Sequence, residues 1–125
     1  MQLIFIASAN SIHSIRWIRY FTMKNDFKVS WISMKRTNHE TQNEFNKIKN
    51  KVNIYYLNDF KNIFSILRIL ISRQKAILHI HYLGWHSILA LLASKSKRII
   101  LTPWGSDILI SKNYFKKIWL KFLIK

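Results

Sequence analysis

A chain of 125 residues that is 50% hydrophobic has enough apolar side chains for one core, which excludes a second domain of comparable size within it. It has no cysteine, so a disulfide framework and thiolate metal ligation are excluded, and the composition accords with a reducing, cytoplasmic setting. The formal charge of +16 favours polyanionic partners such as nucleic acid, anionic lipid or phosphorylated sugar carriers, although an AT-rich coding sequence would yield the same excess of Lys, Asn and Ile.

Residues 2–7, QLIFIA, form an apolar run that ends in Ser8, Asn10 and Ser11, the pattern of a buried strand feeding a helix. The run imitates a secretory signal, but no Lys or Arg precedes it and it is too short. Ser11 or Asn10 caps a helix in which Ile15, Ile18 and Phe21 or Thr22 recur at helical spacing, with His13, Arg16 and Lys24 on other sides. Asn25 and Asp26 end it. Residues 28–33, KVSWIS, read as a second strand, with Val29, Trp31 and Ser33 alternating against Ser30 and Ile32. Residues 35–51 are polar and mixed in charge, and support at most a solvated helix over 44–49.

Residues 52–57, VNIYYL, are a third strand, after which Asn58 or Asp59 caps a helix carrying Phe60, Ile63, Phe64, Leu67 and Leu70 or Ile71 at helical spacing. Residues 77–81 and 98–102 are the fourth and fifth strands, flanking a helix from Trp85 to Ser94. The span 76–94 lacks Asp, Glu, Lys and Arg and approaches membrane-crossing length, but His79, His81, His86, Ser87 and Gly84 argue against that role. Residues 112–125 form a closing helix, with Phe115, Ile118, Trp119, Phe122 and Leu123 on one face and Lys117, Lys121 and Lys125 at four-residue steps. A core-covering helix and an interfacial membrane helix share that make-up. Strands alternating with helices predict a Rossmann-like, three-layer α/β domain, its parallel sheet of about five strands in the order 3-2-1-4-5.

The turns after strands four and five lie at the carboxyl edge of such a sheet, where open α/β folds hold ligands. The first carries His79, His81, Tyr82 and His86, and the second Thr102, Pro103, Trp104, Gly105, Ser106 and Asp107. His79 and His81 are two apart and share one strand face. As a zinc pair they lack further ligands apart from His86, so no metal site is expected. Gly105 permits a tight turn or close approach of a ligand, while Asp107 could equally cap a following helix. His13, Arg16 and Trp17 sit in the first turns of the first helix, where free amides favour an anion. The plainer account has Trp17 packed and Arg16 solvated. Nucleic-acid binding has only charge in its favour, since no zinc-finger, helix-turn-helix or RNP-like pattern is present.

Two of these motifs, in this order, resemble the N-terminal domain of family 4 glycosyltransferases of the GT-B type. Ser11-Ile12-His13-Ser14-Ile15-Arg16-Trp17 is similar to the S-x-H-t-x-R-W signature of one branch, and His79-Ile80-His81 precedes a helix, an apolar strand and the W-G-S-D loop Trp104-Gly105-Ser106-Asp107. The resemblance spans nearly the whole chain. It implies the acceptor side of an enzyme that moves a sugar from a nucleotide donor to a cell-surface glycan or lipid-linked acceptor, in cell-envelope polysaccharide biosynthesis. His81 and Asp107 are the implied catalytic residues, His81 facing a cleft near sugar hydroxyls and His79 packed inside. His13, Arg16, Trp104, Gly105 and Ser106 are the implied substrate contacts. Two departures stand out: many members have His where Trp104 stands, and the loop Ser8 to Ser11 has no glycine to let phosphates approach closely.

The same resemblance implies no bound cofactor or metal, the nucleotide sugar being a co-substrate whose departing diphosphate is stabilised by a helix dipole in a second domain. That domain, with its E-x7-E carboxylates, is not in residues 1–125, and the sequence ends before the expected sixth strand. The expectation is therefore a domain inactive alone, whether a truncated reading frame, a fragment or one half of an enzyme completed by a separate C-terminal polypeptide, cytoplasmic and peripheral at the inner face of the plasma membrane. The competing expectation is a basic, non-catalytic, membrane-peripheral binding protein whose cleft residues are relics.

Overall fold

Five apolar runs become the strands of one sheet in the computed structural model, which describes residues 1–24, 26–72, 75–82, 84–96 and 98–102. The strands are β1 (Gln2–Ile6), β2 (Lys28–Ser33), β3 (Asn53–Tyr56), β4 (Ile77–His81) and β5 (Arg98–Thr102). All neighbours run parallel, in the order β3-β2-β1-β4-β5, as the alternation of strands and helices predicts. The crossovers are helices α1 (Ile12–Thr22), α2 (His39–Asn46), α3 (Phe60–Ser72) and α4 (Trp85–Ala93). The expected 104–107 loop and 112–125 helix lie outside the described residues.

Strand β1 is central because its register aligns Ile6 with Ile32 on one side and with Ile80 on the other. One face of the sheet joins Leu3, Phe5, Val29 and Trp31 to Ile15 and Ile18 of α1. The other joins Ile4, Ile6, Ile32, Leu78 and Ile80 to Ile66, Ile69 and Leu70 of α3 and Ala90 of α4. Each fully buried aliphatic side chain contributes about 1.5–3 kcal/mol, so these two layers are the main source of stability. With both faces covered, β2 shows no alternation of burial: every residue from Val29 to Ser33 is buried.

Two elements depart from the sequence pattern. Helix α2 begins at His39 instead of near Glu44, because Asn38 and Thr41 form a reciprocal capping box in which the Thr41 amide donates to Asn38 Oδ1 at 3.0 Å. Helix α3 buries Ile66, Ile69 and Leu70, whereas the periodic Phe60, Phe64, Leu67 and Ile71 face outward. The carboxylate of Asp59 is engaged by Arg36, whose Nη2 lies 2.9 Å from each oxygen.

Candidate functional site

The turn after β1 is held without glycine by side chains from its neighbour. Trp31 donates its indole N–H to the Ala7 carbonyl at 2.8 Å, and Ser33 Oγ accepts from the Ala9 amide at 2.8 Å. Ser8 Oγ donates to Asn10 Oδ1 at 2.6 Å. Ser11 is the N-cap of α1: its Oγ accepts from the Ser14 amide at 3.4 Å and lies 2.9 Å from the Tyr82 hydroxyl. That last contact ties the β1–α1 turn to the end of β4, across the point where the chain leaves the sheet in opposite directions.

Tyr82 follows β4 in a left-handed conformation with φ 69°, a region that side chains other than Gly and Asn rarely occupy. Its carbonyl accepts from Ser87 Oγ at 2.7 Å, and the same Oγ accepts from the Gly84 amide at 3.2 Å. The start of α4 thus holds the turn in place and directs the phenol over the sheet edge.

Between these turns opens a crevice of about 870 Å³. Its walls come from Ser8, Asn10, Ser11, Ile12 and His13 after β1, from Met34 and Lys35 after β2, from Glu40 and Thr41 of α2, and from Tyr82 and Gly84 after β4. The lining is mostly apolar, from Ile6, Ala7, Ile12, Ile32 and Met34; among the described residues its polar groups are the hydroxyls of Ser8, Ser11, Thr41 and Tyr82, the Asn10 amide, His13, the Glu40 carboxylate and the Lys35 ammonium, and the first turn of α1 opens nearby with its amide dipole. Hydroxyl, amide and single charged groups suit a ligand with many hydroxyls and an anionic portion. The crevice lies at the carboxyl ends of β2, β1 and β4, and so includes the switch point between β1 and β4 of a doubly wound sheet.

Residues 2–125 match a family model described as glycosyl transferase 4-like. The chain belongs to that family. No curated protein and no solved structure matches it. Among the described residues, the five-stranded parallel sheet with four helices is the Rossmann-like arrangement of the family's N-terminal domain.

Within this glycosyltransferase 4-like domain the expected site residues are distributed unevenly. His13 lines the crevice, whereas Arg16 is exposed one turn further along α1 and does not. His81, expected to face a cleft, is fully buried beneath the sheet edge, with His79 at 4.7 Å, Phe5 at 5.6 Å and Trp17 at 5.9 Å between ring centroids. Neither of its ring nitrogens has a hydrogen-bond partner among the described residues. Burial, with a smaller effect from His79, pushes its pKa down to about 4, so the ring is neutral near pH 7. His79 is packed as expected: its Nε2 lies 2.7 Å from Thr102 Oγ1, and burial lowers its pKa too. Trp104, Gly105, Ser106 and Asp107 fall outside the described residues. Among those described, no group of three His, Cys, Asp or Glu side chains is placed to hold a metal ion.

Sequence reasoning passed over Lys35, Glu40, Thr41 and the functional placement of Tyr82. Asn38-x-x-Thr41 was the available signal, since a capping box starting at Asn38 puts Glu40 in the first turn of α2 and swings it to the sheet edge.

Proposed function

We propose that this domain holds the acceptor in a glycosyl transfer from a nucleotide sugar, with the crevice at the ends of β1 and β4 as its acceptor site. The crevice, in which Ser8, Ser11, His13, Glu40 and Tyr82 set polar groups among apolar walls from Ile6, Ile12, Ile32 and Met34, carries the reading. Sugar hydroxyls exchange hydrogen bonds with the serines and the phenol. Glu40 accepts from one of them, and the α1 amides with His13 face the anionic part of a lipid-linked or polysaccharide acceptor. Trp104, Gly105, Ser106 and Asp107 follow β5 in sequence and are proposed to brace the transferred sugar, with Asp107 and His81 as the residues to be tested for a direct part in the reaction. The nucleotide sugar is a co-substrate, bound by a second half of the cleft on further polypeptide.

The test is transfer of radiolabelled sugar from nucleotide donors to membrane acceptors, using this domain combined with its donor-binding half. His13→Ala and Glu40→Gln should each raise the acceptor KM about tenfold, the effect of losing one charge-assisted hydrogen bond. Asp107→Asn should lower kcat. The domain without the second half should show no turnover. Turnover by the domain alone, or unchanged kinetics in all three variants, would sink the proposal.

A further inference from the structure

Helix α3 turns large apolar side chains outward that a core-facing helix would hide. Phe60 is 86% exposed and Phe64 83%, and with Leu67 and Ile71, also exposed, they form one stripe along the whole helix. The buried Ile66, Ile69 and Leu70 lie on the other side, so the stripe is not surplus core. Beside it an apolar groove of about 230 Å³ runs between α3 and α4, bounded by aliphatic side chains throughout. Leu89 and Leu92 are exposed on the α4 side. A contiguous apolar surface of this kind marks a contact site.

Charge identifies the occupant. From Phe60 to Thr102 the sequence contains no Asp or Glu, while Lys61 and Arg68 flank the stripe on α3 and Lys75 follows the helix. Lys95 joins them at that end, its amide donating to the Leu70 carbonyl at 3.2 Å. A second copy would set these cations against their own kind. A nucleic acid would neutralise them but leave the phenyl rings and the groove without a partner. An anionic bilayer meets both demands, and α3, about 20 Å long, is suited to lie in its interface. No described helix is long and apolar enough to cross a membrane.

We propose that the α3–α4 face docks the protein on an anionic lipid bilayer. Phe60, Phe64, Leu67 and Ile71 enter the boundary between headgroups and acyl chains, the groove takes an acyl segment, and Lys61 and Arg68 meet headgroup phosphates. This docking stands whether or not the crevice transfers sugar, and its test contains no nucleotide sugar.

Purified full chain is sedimented with vesicles of phosphatidylcholine alone and of phosphatidylcholine mixed with phosphatidylglycerol. Binding should favour the anionic vesicles, weaken with added salt, and fall about 30-fold in the Phe60→Ser/Phe64→Ser variant and about tenfold in Lys61→Glu/Arg68→Glu. Because the chain has no cysteine, Phe64→Cys also accepts a single environment-sensitive fluorophore, whose emission should shift to the blue on anionic vesicles. Equal binding by wild type and both variants, no binding to either vesicle, or an unshifted label would overturn the proposal. So would a wild-type dimer that Phe60→Ser/Phe64→Ser dissociates, since the face would then belong to a second copy.

Discussion

His81 is the residue at which burial and chemistry conflict most plainly. Its ring is enclosed, its nitrogens have no described partner, and its pKa near 4 lies below the ordinary 6.5. With the folded value depressed, the unfolded chain takes up the proton first as pH falls. Stability from this group is complete above about pH 6.5 and declines as pH drops towards 4, by about 3 kcal/mol over the window. His79, lowered by burial as well, acts in the same direction. His81→Leu should therefore flatten the acid limb of a denaturant-unfolding series between pH 7 and 4. Stability at pH 7 should stay within about 1 kcal/mol of wild type, since an apolar side chain of similar size removes no hydrogen bond. An acid limb as steep as before would contradict this account. The same variant bears on chemistry: a folded His81→Leu protein with unchanged transfer leaves the enclosed imidazole a packing role alone.

At the level of elements, the strands were legible because each is a short apolar run bounded by polar turns, and β2, β4 and β5 coincide with the expected segments. The start of α1 was legible too, since Ser11 is the cap. Ser11→Ala should lower the melting temperature by the equivalent of about 1 kcal/mol, losing both the cap and the Tyr82 contact; an unchanged melting curve would mean that neither bond contributes. Two things were hidden. The buried side of α3 could not be told from periodicity, because Phe60, Phe64, Leu67 and Ile71 repeat as regularly as Ile66, Ile69 and Leu70, and only the direction of the crossover decides which side meets the sheet. The crevice was half visible: His13 stood in a motif, but Tyr82 reaches it through a positive φ that no residue pattern announces, and Glu40 through a capping box inside a stretch of polar sequence.

At the scale of the whole molecule, a charge of +16 on 125 residues makes self-repulsion a general opponent of folding. The carboxylates that offset it locally include Glu44, which pairs with Arg19 of α1 and Lys47, and Asp59, which pairs with Arg36. Melting temperature should rise as sodium chloride is added from low ionic strength, because screening relieves more repulsion than it removes from those few surface pairs. A fall would show that the pairs outweigh the repulsion. The order β3-β2-β1-β4-β5 also bears on how the chain emerges from a ribosome. Strand β1 meets β2 early, but its other edge must wait about 45 further residues, from Ile32 to Ile77, for β4. At roughly 5–20 residues per second, the central strand spends several seconds with one row of amides and carbonyls open, a period in which a nascent sheet is vulnerable to strands from neighbouring chains.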